Sequence, residues 1–197
     1  MKVVFCLYGS DLTKYARLMV ASCKEFGYEV WQLTDDESKP VDLVDKVIRR
    51  PKDCPQVLYR YRHLAEIEPP YLSLDVDLLV VKDVAEGFDP TFDAVMTRRS
   101  VEEMPYNGGV FWVNNIAFVE DCVRQIEQMT PEWQNWTGGQ RAMFDAAKRF
   151  RLKELSCLEW NYTPMNVNDV GKARILHFKG PRKNWMPEAY ERLHPRR

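Results

Sequence analysis

Short apolar runs alternate along the chain with longer segments whose apolar residues recur at helical spacing. The runs predict β-strands, and the periodic segments, several of them bounded by Gly or Pro, predict helices. The predicted strands cover residues 2–8, 28–33, 45–50, 71–75, 92–99, 109–114 and 173–178, with a further extended segment at 78–84. The predicted helices cover residues 12–26, 56–67, 116–129 and 138–150.

This alternation predicts an α/β fold. Strands that are apolar throughout are typical of a parallel sheet covered by helices on both faces. We therefore expect a mainly parallel, Rossmann-like central sheet flanked by helices. No repeat, linker or low-complexity segment divides the 197 residues, so we predict one domain over residues 1–197.

Charge and composition narrow the function classes. The formal net charge is −1, whereas a general nucleic-acid binder normally carries a basic excess. No apolar run approaches the roughly 20 residues that span a bilayer, and the apolar stretch at the N-terminus is too short for a secretory signal. The five widely spaced cysteines favour free thiols in a cytoplasmic protein over a zinc site or a disulfide framework.

Two aspartates interrupt the most apolar part of the chain, YLSLDVDLLVVK at residues 71–82. In an extended segment alternate side chains lie on one side, so Asp75 and Asp77 point the same way. Paired carboxylates suit Mn²⁺ or Mg²⁺, and α/β sheets bind ligands beyond the carboxyl ends of their strands. The alternative is a strand that ends at Leu74, with both aspartates solvated in a loop.

Two further segments carry candidate chemistry. In ILHFKGPRKNW, residues 175–185, His177 ends an apolar strand, Gly180 allows close backbone approach, and Lys183 offers a charge for phosphate. A hydrogen-bonded core histidine and a solvated basic C-terminus are the alternatives. In MPYNGGVFWVN, residues 104–114, a turn at Asn107 could hold a sugar hydroxyl or could connect two strands of a hairpin.

Taken in order, four segments resemble nucleotide-sugar glycosyltransferases of the GT-A fold, most closely glycosyltransferase family 8, the group of glycogenin and bacterial galactosyltransferases. The segments are YLSLDVDLLVVKD with the D-x-D motif, NGGVFWVN, TGGQRAMF and HFKGPRKNW. They span residues 71–185. The last is similar to the family pattern H-F-x-G-x-x-K-P-W, with Asn184 in place of the proline.

The resemblance implies a metal site and a donor site. Asp75, Asp77 and His177 would hold Mn²⁺ (or Mg²⁺) against the donor diphosphate. Asp75, Asp77, Gln140 and Lys183 would be the catalytic residues. The donor-binding residues would be Leu7, Tyr8, Gly9, Asp35, Arg60, Asp75, Val76, Asn107, Gly108, Gly109, Gly180 and Lys183. Arg60 is preferred over Arg62 by counting back along the helix that precedes D-x-D.

The implied activity is a metal-dependent transfer of a hexose from a nucleotide diphosphate sugar, with UDP-glucose or UDP-galactose as the family default. The acceptor, whether glycan, protein or small molecule, does not follow, because the segment between Val80 and Asn107 is short for the family. Retention of configuration is implied. Because Gly139 replaces the family's usual Asp, a same-face attack without a covalent enzyme intermediate is favoured over double displacement.

Two alternatives stay open. Haloacid-dehalogenase-type phosphatases also carry D-x-D after an apolar strand, although nearer the N-terminus and with Thr or Val where Leu79 stands. A non-catalytic module that binds sugar nucleotides or glycans would fit Gly139 and the trimmed acceptor region. WQNW, at residues 133–136, could form an acceptor shelf beside the predicted TGGQ turn.

Overall fold

The computed structural model describes residues 1–9 and 11–194. Nine strands and six helices follow the predicted alternation. The strands are β1 Lys2–Cys6, β2 Glu29–Thr34, β3 Lys46–Arg49, β4 Tyr71–Leu74, β5 Leu78–Val80, β6 Ala94–Arg98, β7 Tyr106–Val113, β8 Leu152–Ser156 and β9 Ile175–His177. The helices are α1 Thr13–Lys24, α2 Gln56–Leu64, α3 Ile116–Glu127, α4 Trp136–Ala146, α5 Cys157–Trp160 and α6 Met186–Leu193.

Seven strands form one sheet in the order β3-β2-β1-β4-β7-β6-β8. Four of its six pairings are parallel, while β7 runs antiparallel to both β4 and β6. The prediction of a mainly parallel α/β sheet is therefore confirmed. The chain order reverses at β4, whose neighbours are β1 and β7, and such reversals are where α/β sheets open a ligand crevice.

The central strands are buried on both faces, which explains why they are apolar throughout. Along β1, Val3 and Phe5 face one core while Val4 faces the other. The core on the Val4 side is covered by α2, α3 and α4, and the opposite core is covered by α1 and α6. Each core thus supplies the apolar burial that stabilises one face of the sheet.

A separate two-stranded sheet, β5 with β9, joins the middle of the chain to a segment near its C-terminal end. The strands are antiparallel, with Leu78 opposite His177 and Val80 opposite Ile175. The amide of Phe178 extends the pairing by donating to the carbonyl of Asp77 at 2.9 Å. Because β5 starts directly after Asp77, this pairing brings His177 beside the two aspartates.

Several elements differ from the predictions. Residues 152–156, predicted only as a connection to the tail, form the edge strand β8, whose half-exposed charged residues hid its pairing with β6. The predicted basic tail contains α6, since Pro187 lies in the first turn, where a helix tolerates proline. The glycines of TGGQ lie in α4, and the Asn107 segment lies in β7, so neither is a turn.

Two other features bear on the expectations. All five cysteines lie in the described part of the chain and are free thiols, while the cytoplasmic setting stays a prediction. Across residues 1–9 and 11–194, no helix has both the length and the apolar character needed to cross a bilayer.

Candidate active site

The D-x-D segment lies at the carboxyl end of β4, between that strand and β5. The amide of Asp75 donates to the carbonyl of Gly109 at 2.9 Å, which continues the β4–β7 pairing up to the motif. Asp75 is half-buried, and Asp77 is only 7% exposed. The reading of both residues as solvated loop aspartates is therefore wrong for Asp77, whose carboxylate needs positive partners to stay charged.

His177 faces both aspartates from β9. Its Nε2 lies 3.3 Å from Oδ1 of Asp77 and 3.8 Å from Oδ2 of Asp75. Its other ring nitrogen, Nδ1, lies 2.8 Å from Oδ1 of Asn161, whose amide nitrogen donates to Thr97 at 2.8 Å. The Asn161 oxygen accepts a hydrogen bond from Nδ1, so Nε2 is the ring nitrogen that faces the carboxylates.

Two cations stand behind these carboxylates. Arg60, on α2, donates to Asp75 at 2.5 Å and to Ser73 at 3.0 Å, and Lys183 lies 2.8 Å from Asp77. Burial alone would raise the pKa of Asp77, but the contacts with His177 and Lys183 outweigh it and hold that pKa well below its usual range. The carboxylate of Asp77 is thereby prepared to act as an anionic ligand.

The ligand atoms of Asp75, Asp77 and His177 all lie within 4.8 Å of one another. The two carboxylates repel each other unless positive charge lies between them. The set of two carboxylate oxygens and one imidazole nitrogen suits Mn²⁺, which accepts both ligand types. The residues present therefore fit a divalent metal.

Gly109 makes room for this cluster. A Cβ at this position would lie 2.5 Å from Cε1 of His177 and 2.9 Å from Oδ2 of Asp75. The side-chain oxygen of Asn107 instead accepts from the Gly109 amide at 2.9 Å. A side chain at position 109 would collide with this cluster, because the backbone of β7 passes directly under it.

A cavity of about 580 Å³ opens above the cluster, and one of about 470 Å³ adjoins it. Most residues predicted for the site line one or both cavities. Those in the larger cavity are Arg60, Asp75, Asp77, Asn107, Gly108, Gly109, Gln140, His177, Gly180 and Lys183. Leu7 and Val76 line the smaller one, which shares Arg60, Asp75, Asp77 and Lys183 with the larger.

Tyr8, Gly9 and Asp35 lie at the carboxyl ends of β1 and β2 but belong to the described lining of neither cavity. The ring of Tyr8 packs edge-on against Tyr59, with the centroids 5.2 Å apart. Gly9 has a φ of +77°, and the hydroxyl of Ser38 accepts from its amide at 2.6 Å. Asp35 accepts from the Ser38 amide, so Ser38 links the loops that follow β1 and β2. The donor-binding role of Tyr8, Gly9 and Asp35 stays a prediction.

Gln140 reaches the cavity from α4 and is oriented by Arg99. The guanidinium of Arg99 donates to Oε1 of Gln140 at 2.7 Å. This hydrogen bond fixes the orientation of the Gln140 side-chain amide. A Cβ on Gly139 would lie 3.0 Å from Val57 and 3.3 Å from the ring of Tyr61. Position 139 therefore packs against α2, and the family's aspartate would crowd that contact here.

Four residues near the site were not found from the sequence. Asn161 holds His177, Arg99 holds Gln140, and Lys179 and Trp136 line the larger cavity. Trp136 was noted only as part of a possible acceptor shelf, and it lines both cavities while its partner Trp133 does not. The signal for Lys179 was its place directly after the predicted strand of His177. Asn161 gave none, because it is a single polar residue at the end of the short helix α5.

The sequence matches no protein-family model and no curated protein sequence. Among solved structures, the galactosyltransferase LgtC in complex with donor and acceptor sugar analogues matches with a TM-score of 0.59 at 12% identity, over 100% of this chain and 98% of that one. This chain has a GT-A-type fold. A structure of an LgtC active-site mutant matches with a TM-score of 0.60 at the same identity and coverage. The GT-A-type fold places the D-x-D segment at the crevice beside β4.

Proposed function

We propose that the protein is a metal-dependent glycosyltransferase that moves a hexose from a nucleotide diphosphate sugar, with UDP-glucose or UDP-galactose as donor, to an acceptor. The observation that carries the proposal is the convergence of Asp75, Asp77 and His177 within 4.8 Å at the floor of a cavity in a GT-A-type fold. A cluster of this kind is costly to bury unless it binds a cation.

The donor diphosphate would lie across the cluster, with Lys183 on its far side. Asp75, Asp77 and His177 would hold a divalent ion, which would supply positive charge to the departing phosphate. Lys183 is already drawn into the cavity by its contact with Asp77 at 2.8 Å, so it can turn toward the phosphate as charge builds there. Gly180, with a φ of +59°, permits the turn that brings Lys183 back over the cavity.

The reacting face of the sugar would meet Gln140, whose amide Arg99 holds in one orientation. Among the described residues that line the larger cavity, Asp75 and Asp77 are the only carboxylates, and both are committed to the cation cluster. This supports same-face attack with retention. The bond from the anomeric carbon to the phosphate oxygen breaks with its electron pair on the phosphate, the acceptor oxygen forms the new bond, and its proton passes to that phosphate oxygen.

Asp77→Asn tests the metal assignment. The variant keeps the shape of the side chain but removes a charge, so Mn²⁺-dependent hydrolysis of UDP-glucose and UDP-galactose should be lost while the circular dichroism spectrum is kept. Asp42→Asn is the matched control, because Asp42 is paired with Arg17 on the surface, where its side chain is 71% exposed. Wild-type hydrolysis rates in the Asp77 variant would rule the assignment out.

Two further measurements separate the remaining choices. Mass spectrometry after incubation with donor should show unmodified protein, since a trapped glycosyl adduct would establish double displacement. Stabilisation by UDP-sugar and Mn²⁺ without release of UDP, for any acceptor or for water, would instead identify a non-catalytic binding module.

A further inference from the structure

A separate cavity of about 720 Å³, referred to below as the second cavity, lies next to the 580 Å³ cavity above the cluster of Asp75, Asp77 and His177. Its wall includes Arg98, Arg99, Glu154, Asn161, Tyr162 and Lys179. Arg99 and Lys179 also line the 580 Å³ cavity, so these two side chains form the boundary between the two spaces. Whatever occupies the second cavity therefore comes within reach of a sugar bound in the first.

Arg99 and Lys179, the two cations at this boundary, make no ion pair with a carboxylate of the described residues, whereas Arg98, elsewhere in the second cavity, does. Arg98 is paired with Glu154, with its Nη1 at 2.8 and 2.9 Å from the two carboxylate oxygens. Arg99 donates to neutral acceptors, the carbonyl of Met104 and the amide of Gln140, both at 2.7 Å. Its Nε is buried and has no partner among the described residues.

Lys179, like Arg99, has no carboxylate partner among the described residues. Within residues 1–9 and 11–194 its ammonium makes no hydrogen bond and no ion pair, in contrast to Lys183, which contacts Asp77. Two partly buried cations without counterions repel each other, so the boundary favours an anion that contacts both.

The donor does not account for these charges. In the 580 Å³ cavity, Asp75 and Asp77 face two cations, Arg60 and Lys183, and these four charges cancel. A divalent ion then adds the two positive charges that the diphosphate of a nucleotide sugar neutralises. Arg99 and Lys179 remain in excess, on the side that faces the second cavity.

We propose that the second cavity binds the acceptor, and that the acceptor carries an anionic oxygen group, a carboxylate or a phosphate, held between Arg99 and Lys179. This inference rests on the proposed glycosyl transfer. The accepting hydroxyl lies next to the anion, because the two cations stand at the boundary with the donor cavity. The outer wall, where Val101 and Leu158 are 45% and 75% exposed, offers apolar contact to the rest of the molecule.

The test measures acceptor binding apart from catalysis. With UDP and Mn²⁺ present to fill the donor cavity, the affinities of glucuronate, glucose 6-phosphate and neutral glucose are compared by ligand-observed NMR. We expect at least one of the anionic sugars to bind about tenfold or more tightly than glucose, since a hydrogen bond to a charged group contributes that much. Which of the two is favoured distinguishes a carboxylate acceptor from a phosphate acceptor.

Lys179→Gln should reduce the preference for the anionic sugar to about twofold or less, whereas Arg98→Gln, which removes the same charge from a paired side chain in the same cavity, should keep it. Equal affinity for all three sugars, or a preference that survives in Lys179→Gln, overturns the proposal. Competition between UDP and the anionic sugar also overturns it, because the anion then occupies the donor cavity.

Binding of UDP and Mn²⁺ is measured first, by thermal stabilisation of the wild-type protein. Its failure would count against the proposed transfer itself. A failure confined to the sugar-binding step would count only against the anionic acceptor.

Discussion

The arrangement of Asp75, Asp77 and His177 leaves no room for a methyl group on Gly109. In Gly109→Ala, the new Cβ would lie 2.5 Å from Cε1 of His177, whereas ordinary contacts begin at 3.4 Å. The imidazole would have to retreat by about 0.9 Å, several times the deviation of about 0.2 Å that metal–ligand distances tolerate. His177 cannot retreat freely, because it is 4% exposed and its strand pairs with β5.

We therefore expect Gly109→Ala to lower the affinity for Mn²⁺ by about tenfold to a hundredfold, the range seen when a ligand's support is removed. Isothermal titration calorimetry measures the affinity, and thermal unfolding shows whether the fold is kept. Gly108→Ala is the control from the neighbouring position, since its Cβ would meet the flexible Met143 at 3.3 Å and should leave Mn²⁺ binding unchanged. A folded Gly109→Ala protein with wild-type Mn²⁺ affinity would refute the reasoning.

Two further predictions concern residues away from the D-x-D motif. Asn161→Leu removes the acceptor for Nδ1 of His177, so Mn²⁺ affinity should fall by about tenfold to a hundredfold in calorimetry, and Asn161→Asp should restore most of it; equal affinity in the leucine variant would contradict the role of Asn161. Burial would raise the pKa of Asp121, but Arg149 and Arg124 lower it. The charged form of Asp121 therefore stabilises the fold above the unfolded-state pKa of about 3.9. That contribution is lost as the pH falls through the lower folded-state pKa. Denaturant titrations should therefore show Asp121→Asn to be less stable than the wild type near neutral pH and nearly equal to it in acid, and a constant difference across that range would argue against the ion pairs.

The buried strands and the paired aspartates were predictable because each leaves a direct mark on the sequence. Burial on both faces makes β4 apolar throughout, and two aspartates inside such a run conflict with a core position unless they bind something. The GT-A-type fold was predicted from the resemblance of four segments, in their order along the chain, to glycosyltransferase family 8.

Contacts between distant segments were not predictable in the same way. Asn161 is a single polar residue at the end of the short helix α5. Its contact with His177 arises because the next residue, Tyr162, pairs with Leu176 of β9. The edge strand β8 reads LKELS, with two adjacent charged residues and no buried position, so its pattern does not distinguish a strand from a solvated connection. The NGG segment predicted a turn because glycine weakens strands, and the reason for Gly109 is the closeness of His177, which no local pattern records.

The pairing of β5 with β9 has a consequence for how the protein matures. Asp77 and His177 are 100 residues apart in sequence, so a nascent chain cannot assemble the metal-ligating cluster until β9 has left the ribosome and docked against β5. A bound metal ion would then hold β9 against β5, and its removal would loosen the C-terminal segment before the central sheet.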